Sequence, residues 1–201
     1  MFNHLHCVEL WEAVTITRTR KAEDALIGAF WEILGTKPIG SITVRELACS
    51  AGVHRSSFYL FFEDVYDLLD RAEAQVFSRV ESRLEGHDEA PLSEWMLPAM
   101  TGFYEANAGK LTALLGPMGD PSFARKLKSR LIPVLGEKLG VDANDPDVAA
   151  TLELALTLIL SFLAEHYGDK GSMPAIDEMQ RVSDVLWHGI APVMERHSAK
   201  L

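Results

Sequence analysis

Residues Ile42 to Phe62 read ITVRELACSAGVHRSSFYLFF, and the fold follows from how this stretch is punctuated. Thr43-Val44-Arg45-Glu46 has the form of a capping box. The threonine hydroxyl takes a free amide at the third helical position and the glutamate reaches back to the threonine amide. Val44, Leu47, Ala48 and Ala51 then recur at helical spacing on one face. Gly52 supplies the left-handed residue that closes a helix. A second short helix is expected from about His54 to Phe61. Two short helices about a glycine turn make a helix-turn-helix. Ala48 is small where the helices cross, Gly52 turns the chain, and Phe58 is apolar to lock the second helix onto the first. The separations of four and then six residues are those of a DNA-reading unit. Its second helix enters the major groove with its N-terminal residues.

Working outward, an amphipathic helix is expected from about Thr17 to Leu34, with Ala22, Leu26, Ala29, Phe30, Ile33 and Leu34 on one face. Lys37 to Gly40 breaks it. Downstream, Asp64 caps a fourth helix to about Glu85, with Val65, Leu68, Leu69, Ala72, Val76, Phe77, Val80 and Leu84 inward. Further helices are expected at about Leu92–Ala106, Ala108–Leu115, Pro121–Leu139, Pro146–Tyr167 and Ala175–Arg196. The breaks are Asn107, Gly116-Pro117, Gly140 to Asp145 and Gly168 to Pro174. There is no internal repeat, low-complexity tract or strand-like alternation, so the fold class is all-α. Residues 1–16 read as an N-terminal arm. Its His4, His6 and Cys7 lack the further ligands that a closed zinc site needs.

The basic first helix, the run I-T-V-R-E-L-A-x-x-A-G-V, and x-R-x-S-x-Y-x-x-F together resemble the DNA-binding head of the tetracycline-repressor (TetR) family, from about Arg18 to Leu69. The resemblance implies a DNA-binding domain over residues 17–70 and a helical ligand-binding and dimerisation domain over 71–201. It implies that Thr43 presents its hydroxyl, or the helix amides, to a phosphate and that Arg45 lies against the backbone or a base edge. His54, Arg55, Ser56 and Ser57 would open the recognition helix. Tyr59 would bond a phosphate, and Arg18, Arg20 and Lys21 would approach the flanking backbone or minor groove. Among these, Arg55 is the long side chain suited to bidentate pairing with guanine. One departure stands out. Val65, after Glu63 and Asp64, occupies the position where the family usually has a phosphate-binding lysine, and Phe61 stands where a polar residue is common. Fewer phosphate contacts and a shallower salt dependence are therefore expected.

The bulk properties fit this reading. The 201 residues carry a net charge of −10 with 48% hydrophobic residues, which excludes a disordered chain. The acidic excess lies mostly outside the head. Arg18 to Leu60 holds six basic and four acidic residues, whereas Phe61 to Asp70 holds four acids and no base. Two cysteines, Cys7 and Cys49, and the absence of a signal-like start point to a cytoplasmic protein with reduced thiols. The longest apolar stretch, Val148 to Ala164, is interrupted by Glu153 and is short for a membrane span of about 20 residues.

No phosphate loop, nucleophile elbow or metal motif is present, so neither catalysis nor a cofactor nor a metal is expected. In the body, the resemblance points to a small-molecule pocket, for which Trp95, Met100, Phe103, Tyr104, Met118, Phe123, Phe162 and His166 are the candidates. The last two long helices are the candidates for a homodimer interface. It would set two heads on a two-fold axis to read a palindromic operator in double-stranded DNA.

Overall fold

The computed structural model describes residues 20–84, 106–170 and 176–198. The expected arm over residues 1–16, Arg18, most of the expected helix Leu92–Ala106, and the pocket candidates Trp95, Met100, Phe103 and Tyr104 lie outside the described residues. Among those described, every regular element is helical. The elements are α1 (residues 20–34), α2 (Val44–Ser50), α3 (Arg55–Phe58), α4 (Val65–Leu84), α5 (residues 106–115), α6 (Phe123–Leu139), α7 (Pro146–Lys170) and α8 (Ile176–Ser198), with a short 3-10 turn at Ile39–Ser41 before α2. The chain divides into two compact units, Met1–Ala72 and Glu73–Leu201, and α4 runs unbroken through the division.

The first unit is built on the apolar face of α1. Leu26, Phe30 and Leu34 are fully buried with Leu47, Phe58 and Leu68. Burial of side chains of this size contributes about 1.5–3 kcal/mol each. α3 is shorter than the expected helix to Phe61. It stops at Phe58, and residues 59–61 are turn. Asp64 begins α4 as expected, its Oδ1 accepting from the amides of Tyr66 (2.8 Å) and Asp67 (2.9 Å).

In the second unit, α6 ends in a left-handed Gly140 with φ 62°, and the amide of Val141 reaches back to the Gly136 carbonyl at 3.0 Å. This glycine closure redirects the chain into α7. Val141, Val148, Leu152 and Met194 form a buried cluster at that corner, with Ile132, Leu135, Leu139 and Ile190 packed against it. Lys128 of α6 ties to α7 through Glu153 and Thr157, both at 3.0 Å. Asn107, expected to break the chain, lies inside α5. Its side chain is buried and accepts from Arg79 of α4 at 3.1 Å, and that tertiary bond outweighs the weak helix preference of asparagine. α7 likewise passes through Gly168 to Lys170. A glycine costs a helix only about 1 kcal/mol. Within α7, Pro146–His166 is long and apolar enough to cross a membrane on those two counts alone.

Candidate nucleic-acid interface

The capping box at the start of α2 is present. Thr43 Oγ1 accepts from the Glu46 amide at 3.3 Å, and the Thr43 amide donates to Glu46 Oε2 at 3.1 Å. The threonine hydroxyl also donates to Glu46 Oε2 at 2.7 Å. Its one proton is therefore engaged inside the box. Lys37, from the loop before α2, completes the arrangement with a 2.6 Å bond to Glu46 Oε1. The bond from Lys37, then those from Thr43, hold the Glu46 carboxyl down at about 2. The Lys37–Glu46 pair thus leaves the box with no net charge, a role for these two residues that the motif alone did not indicate.

Gly52 takes φ 65°, a conformation that costs an ordinary residue about 1–2 kcal/mol. The next helix is capped by a histidine. His54 Nδ1 accepts from the Ser56 amide at 3.3 Å and lies 2.8 Å from Ser56 Oγ. Phe58 is fully buried, edge-on to Tyr59 at 5.5 Å and tilted against Phe62 at 5.4 Å. Phe58 is held inward, while Arg55 at the start of α3 and Tyr59, its C-cap, are exposed and meet each other. Arg55 Nη2 donates to the Tyr59 hydroxyl at 3.3 Å, and its guanidinium sits 5.9 Å from the Tyr59 ring centre. Tyr59 is 51% exposed, which rules out a core role for its ring.

The structure places Arg20, Lys21, Arg45, His54, Arg55 and Ser56 on the surface and leaves Ser57 half-buried. Thr43 and Tyr59 are exposed as well. Val65 is buried, at 8% exposure, so position 65 belongs to the core of the head, and the outward residues of that turn are Tyr66 and Asp67. Phe61 packs beside Phe62.

The body candidates separate. Phe123 is fully buried and stacked on Phe77 of α4, with centroids 5.4 Å apart and planes at 8°. Phe162 and His166 meet on α7 at 5.8 Å. His166 is buried, with Nδ1 3.9 Å from Glu178 of α8. Met118 sits in the turn before α6 and is 38% exposed. An apolar cleft of about 40 Å³ does open between α6, α7 and α8, against Leu139, Leu156, Ile159, Leu186 and Trp187, but none of the four described candidates, Met118, Phe123, Phe162 and His166, is among its lining residues. Its volume suits a water or two, far below the about 300 Å³ of a usual ligand site.

A polar cluster that sequence reasoning missed lies between α4 and α6. Glu73 is 1% exposed, and its Oε2 takes a 2.8 Å bond from Lys126, which also reaches Asp120 at 3.1 Å. Glu73 Oε1 is buried with no hydrogen-bond partner. Burial, only partly offset by Lys126, pushes the Glu73 carboxyl up to about 7. Burial also acts to raise Asp120, but bonds from Ser122 and Lys126 prevail and hold it at about 2. Arg130 stands over the Phe77 ring at 4.7 Å and reaches Glu81 at 3.4 Å.

This arrangement of helices can be compared with known proteins. No protein-family model matches the sequence, and no curated protein matches it. Solved structures do. A TetR-family transcriptional regulator from Streptomyces coelicolor superposes with a TM-score of 0.67 at 16% identity, over 86% of this chain and 81% of that one. The chain has the fold of the TetR-family regulators. A second such regulator, from Streptococcus agalactiae 2603V, gives 0.64 at 20% identity over 87% and 98% of the two chains. The fatty acid degradation regulator FadR from Bacillus halodurans gives 0.62 at 13% over 84% and 96%. In this TetR-like fold the N-terminal helix-turn-helix corresponds to α2 and α3.

Proposed function

We propose that this chain is a DNA-binding transcription regulator, a repressor, that acts as a homodimer on a palindromic operator. The observation that carries the reading is the outward face of α3. Arg55 at the start of α3 and Tyr59 at its C-cap are paired and exposed, and the fully buried Phe58 between them anchors the short helix. A guanidinium held in this way loses little rotamer freedom on meeting a guanine edge. Arg20, Lys21 and Arg45 supply phosphate contacts around it. Dimerisation runs through α7 and α8, where Leu154, Leu158 and Val185 remain exposed at 72%, 43% and 64%. Pairing these faces about a two-fold axis gives a four-helix bundle, which accounts for the apolar character of α7 without a membrane. A small molecule bound in the body shifts operator affinity through α4, which belongs to both units. Couplings of this kind amount to about 1–3 kcal/mol.

The experiment is selection from a pool of random duplexes followed by sequencing of the retained fraction. Enrichment of an inverted repeat supports the reading, and no retention even at low salt rejects it. A second reading, a helical binding module with weakened DNA affinity, is favoured by the exposed Glu63, Asp64 and Asp67 and by the inward Val65. It predicts retention at low salt that disappears at physiological salt without any sequence preference.

A further inference from the structure

At one end of the second unit, the start of α7 and the end of α8 bring together Asp145, Asp147 and His197. One ligand atom from each lies within 4.8 Å of the others. Among the described residues this is the grouping of histidine and carboxylate side chains with metal-ligand spacing. The geometry of the histidine gives it meaning. His197 Nδ1 lies 2.9 Å from the Val193 carbonyl one turn back. A carbonyl only accepts, so Nδ1 carries the ring hydrogen in that contact. Nε2 of the neutral ring then presents a lone pair, and it faces Asp145 Oδ1 at 3.6 Å. A cation placed beside these two acceptor atoms would be attracted by both.

The spacing suits a shared metal ion. Bonds of about 2.0–2.2 Å from nitrogen and oxygen to zinc place neighbouring ligand atoms about 3.4 Å apart in a tetrahedral site. Anchoring of the second ring nitrogen on a backbone carbonyl is the support that metal-binding histidines receive. His188, also on α8, makes the same backbone contact to Asp184 at 2.7 Å, but it is exposed and outside the grouping. The His197 side chain is only 11% exposed, whereas Asp147 is on the surface. One side of the site is therefore walled by protein and the other is open for water ligands. Asp145 is held by its role as the α7 cap, accepting at Oδ1 from the Asp147 amide at 2.9 Å.

We propose that Asp145, Asp147 and His197 form a divalent transition-metal site, with Zn²⁺ the best-suited ion, that ties the end of α8 to the start of α7. The imidazole disfavours Mg²⁺ and Ca²⁺, and the two carboxylates with no thiolate disfavour soft ions. Three protein ligands plus water is the composition of an open zinc site. The proposal does not depend on DNA binding. The competing account is a protonated His197 paired with Asp145 and no metal.

Calorimetric titration of the chelator-treated full chain with ZnCl₂ separates the two. The proposal expects about one equivalent of Zn²⁺ per chain and a rise in Tm, with no response to MgCl₂. His197→Ala and Asp147→Asn should each weaken Zn²⁺ binding about tenfold or more. Asp147→Asn alters an exposed side chain isosterically, so an unchanged circular dichroism spectrum and metal-free Tm would show that the fold is intact. Replacing His4, His6 and Cys7 together with alanine should leave the titration as it was. No stoichiometric uptake by the parent chain, or uptake that survives both His197→Ala and Asp147→Asn, overturns the proposal.

Discussion

The head and the body are held together over different distances along the chain. In the head, Lys37 and Glu46 are nine residues apart, Thr43 and Glu46 three, and Arg55 and Tyr59 four. In the body, Lys126 meets Glu73 from 53 residues away, Arg130 meets Glu81 from 49, and Lys128 meets Glu153 from 25. The helix-turn-helix of the head is thus locally specified and its parts carry recognisable spacings, while longer-range packing and the Arg71–Glu23 pair at 4.0 Å join it to the rest of the head. The body is fixed by helix packing that no short motif announces.

The comparison can be broken at its strongest point by Phe58→Ala. Emptying a fully buried site beneath α3 should cost about 3–5 kcal/mol, read as a shift in the urea midpoint, with loss of DNA retention. A loss under about 1 kcal/mol would mean that Phe58 does not anchor the helix.

The body offers the next largest effect, through Glu73. Its folded pKa of about 7 lies above the ordinary 4.5, so the folded chain keeps a proton that the unfolded chain gives up. The contribution to stability is fully present below about pH 4.5 and is lost as pH rises through about 7. Asp120 has the opposite sign, losing its contribution as pH falls from 3.8 through about 2, and does not overlap that window. Denaturant melts at about pH 5 and pH 8 should differ by about 1–3 kcal/mol, with the lower pH more stable. Glu73→Gln should flatten the difference, and an equally steep profile in that variant would place its origin elsewhere.

Smaller changes sharpen the local character of the head. Gly52→Ala forces a side chain into φ 65° and should cost about 1–2 kcal/mol. Thr43→Ala removes the α2 cap and should cost about 1 kcal/mol. Both are measurable as urea midpoints, and both should weaken DNA binding more than their stability cost explains, because each also repositions α3 or α2.

These distances explain what the sequence made legible. The capping box, the left-handed Gly52, the inward Phe58 and the Asp64 cap are contacts of a few residues, and each stands where its motif indicated. Arg55 with Tyr59 was within reach too, since a four-residue spacing on a helix puts side chains side by side. Val65 shows the limit. A family pattern placed a missing lysine there, but the residue at 65 is part of the core, as its own apolar periodicity with Leu68, Leu69 and Ala72 already implied. Asn107 was misread as a break because its partner, Arg79, belongs to another helix. The Glu73–Lys126–Asp120 cluster had no signal at all, since a lysine and two acids scattered over 53 positions look like ordinary surface residues. Bulky apolar side chains at helical spacing are chosen equally by a core and by a ligand, and Phe123 went to the core.

The central claim is that α3 reads DNA through Arg55, and the most direct test is fluorescence anisotropy of the selected duplex titrated with the parent chain and with Arg55→Ala. The account predicts that Arg55→Ala, folded to the parent's helical content, loses about 1–3 kcal/mol of binding and discriminates less at one base pair of each half-site. Equal affinity and equal base preference in the two proteins would contradict it.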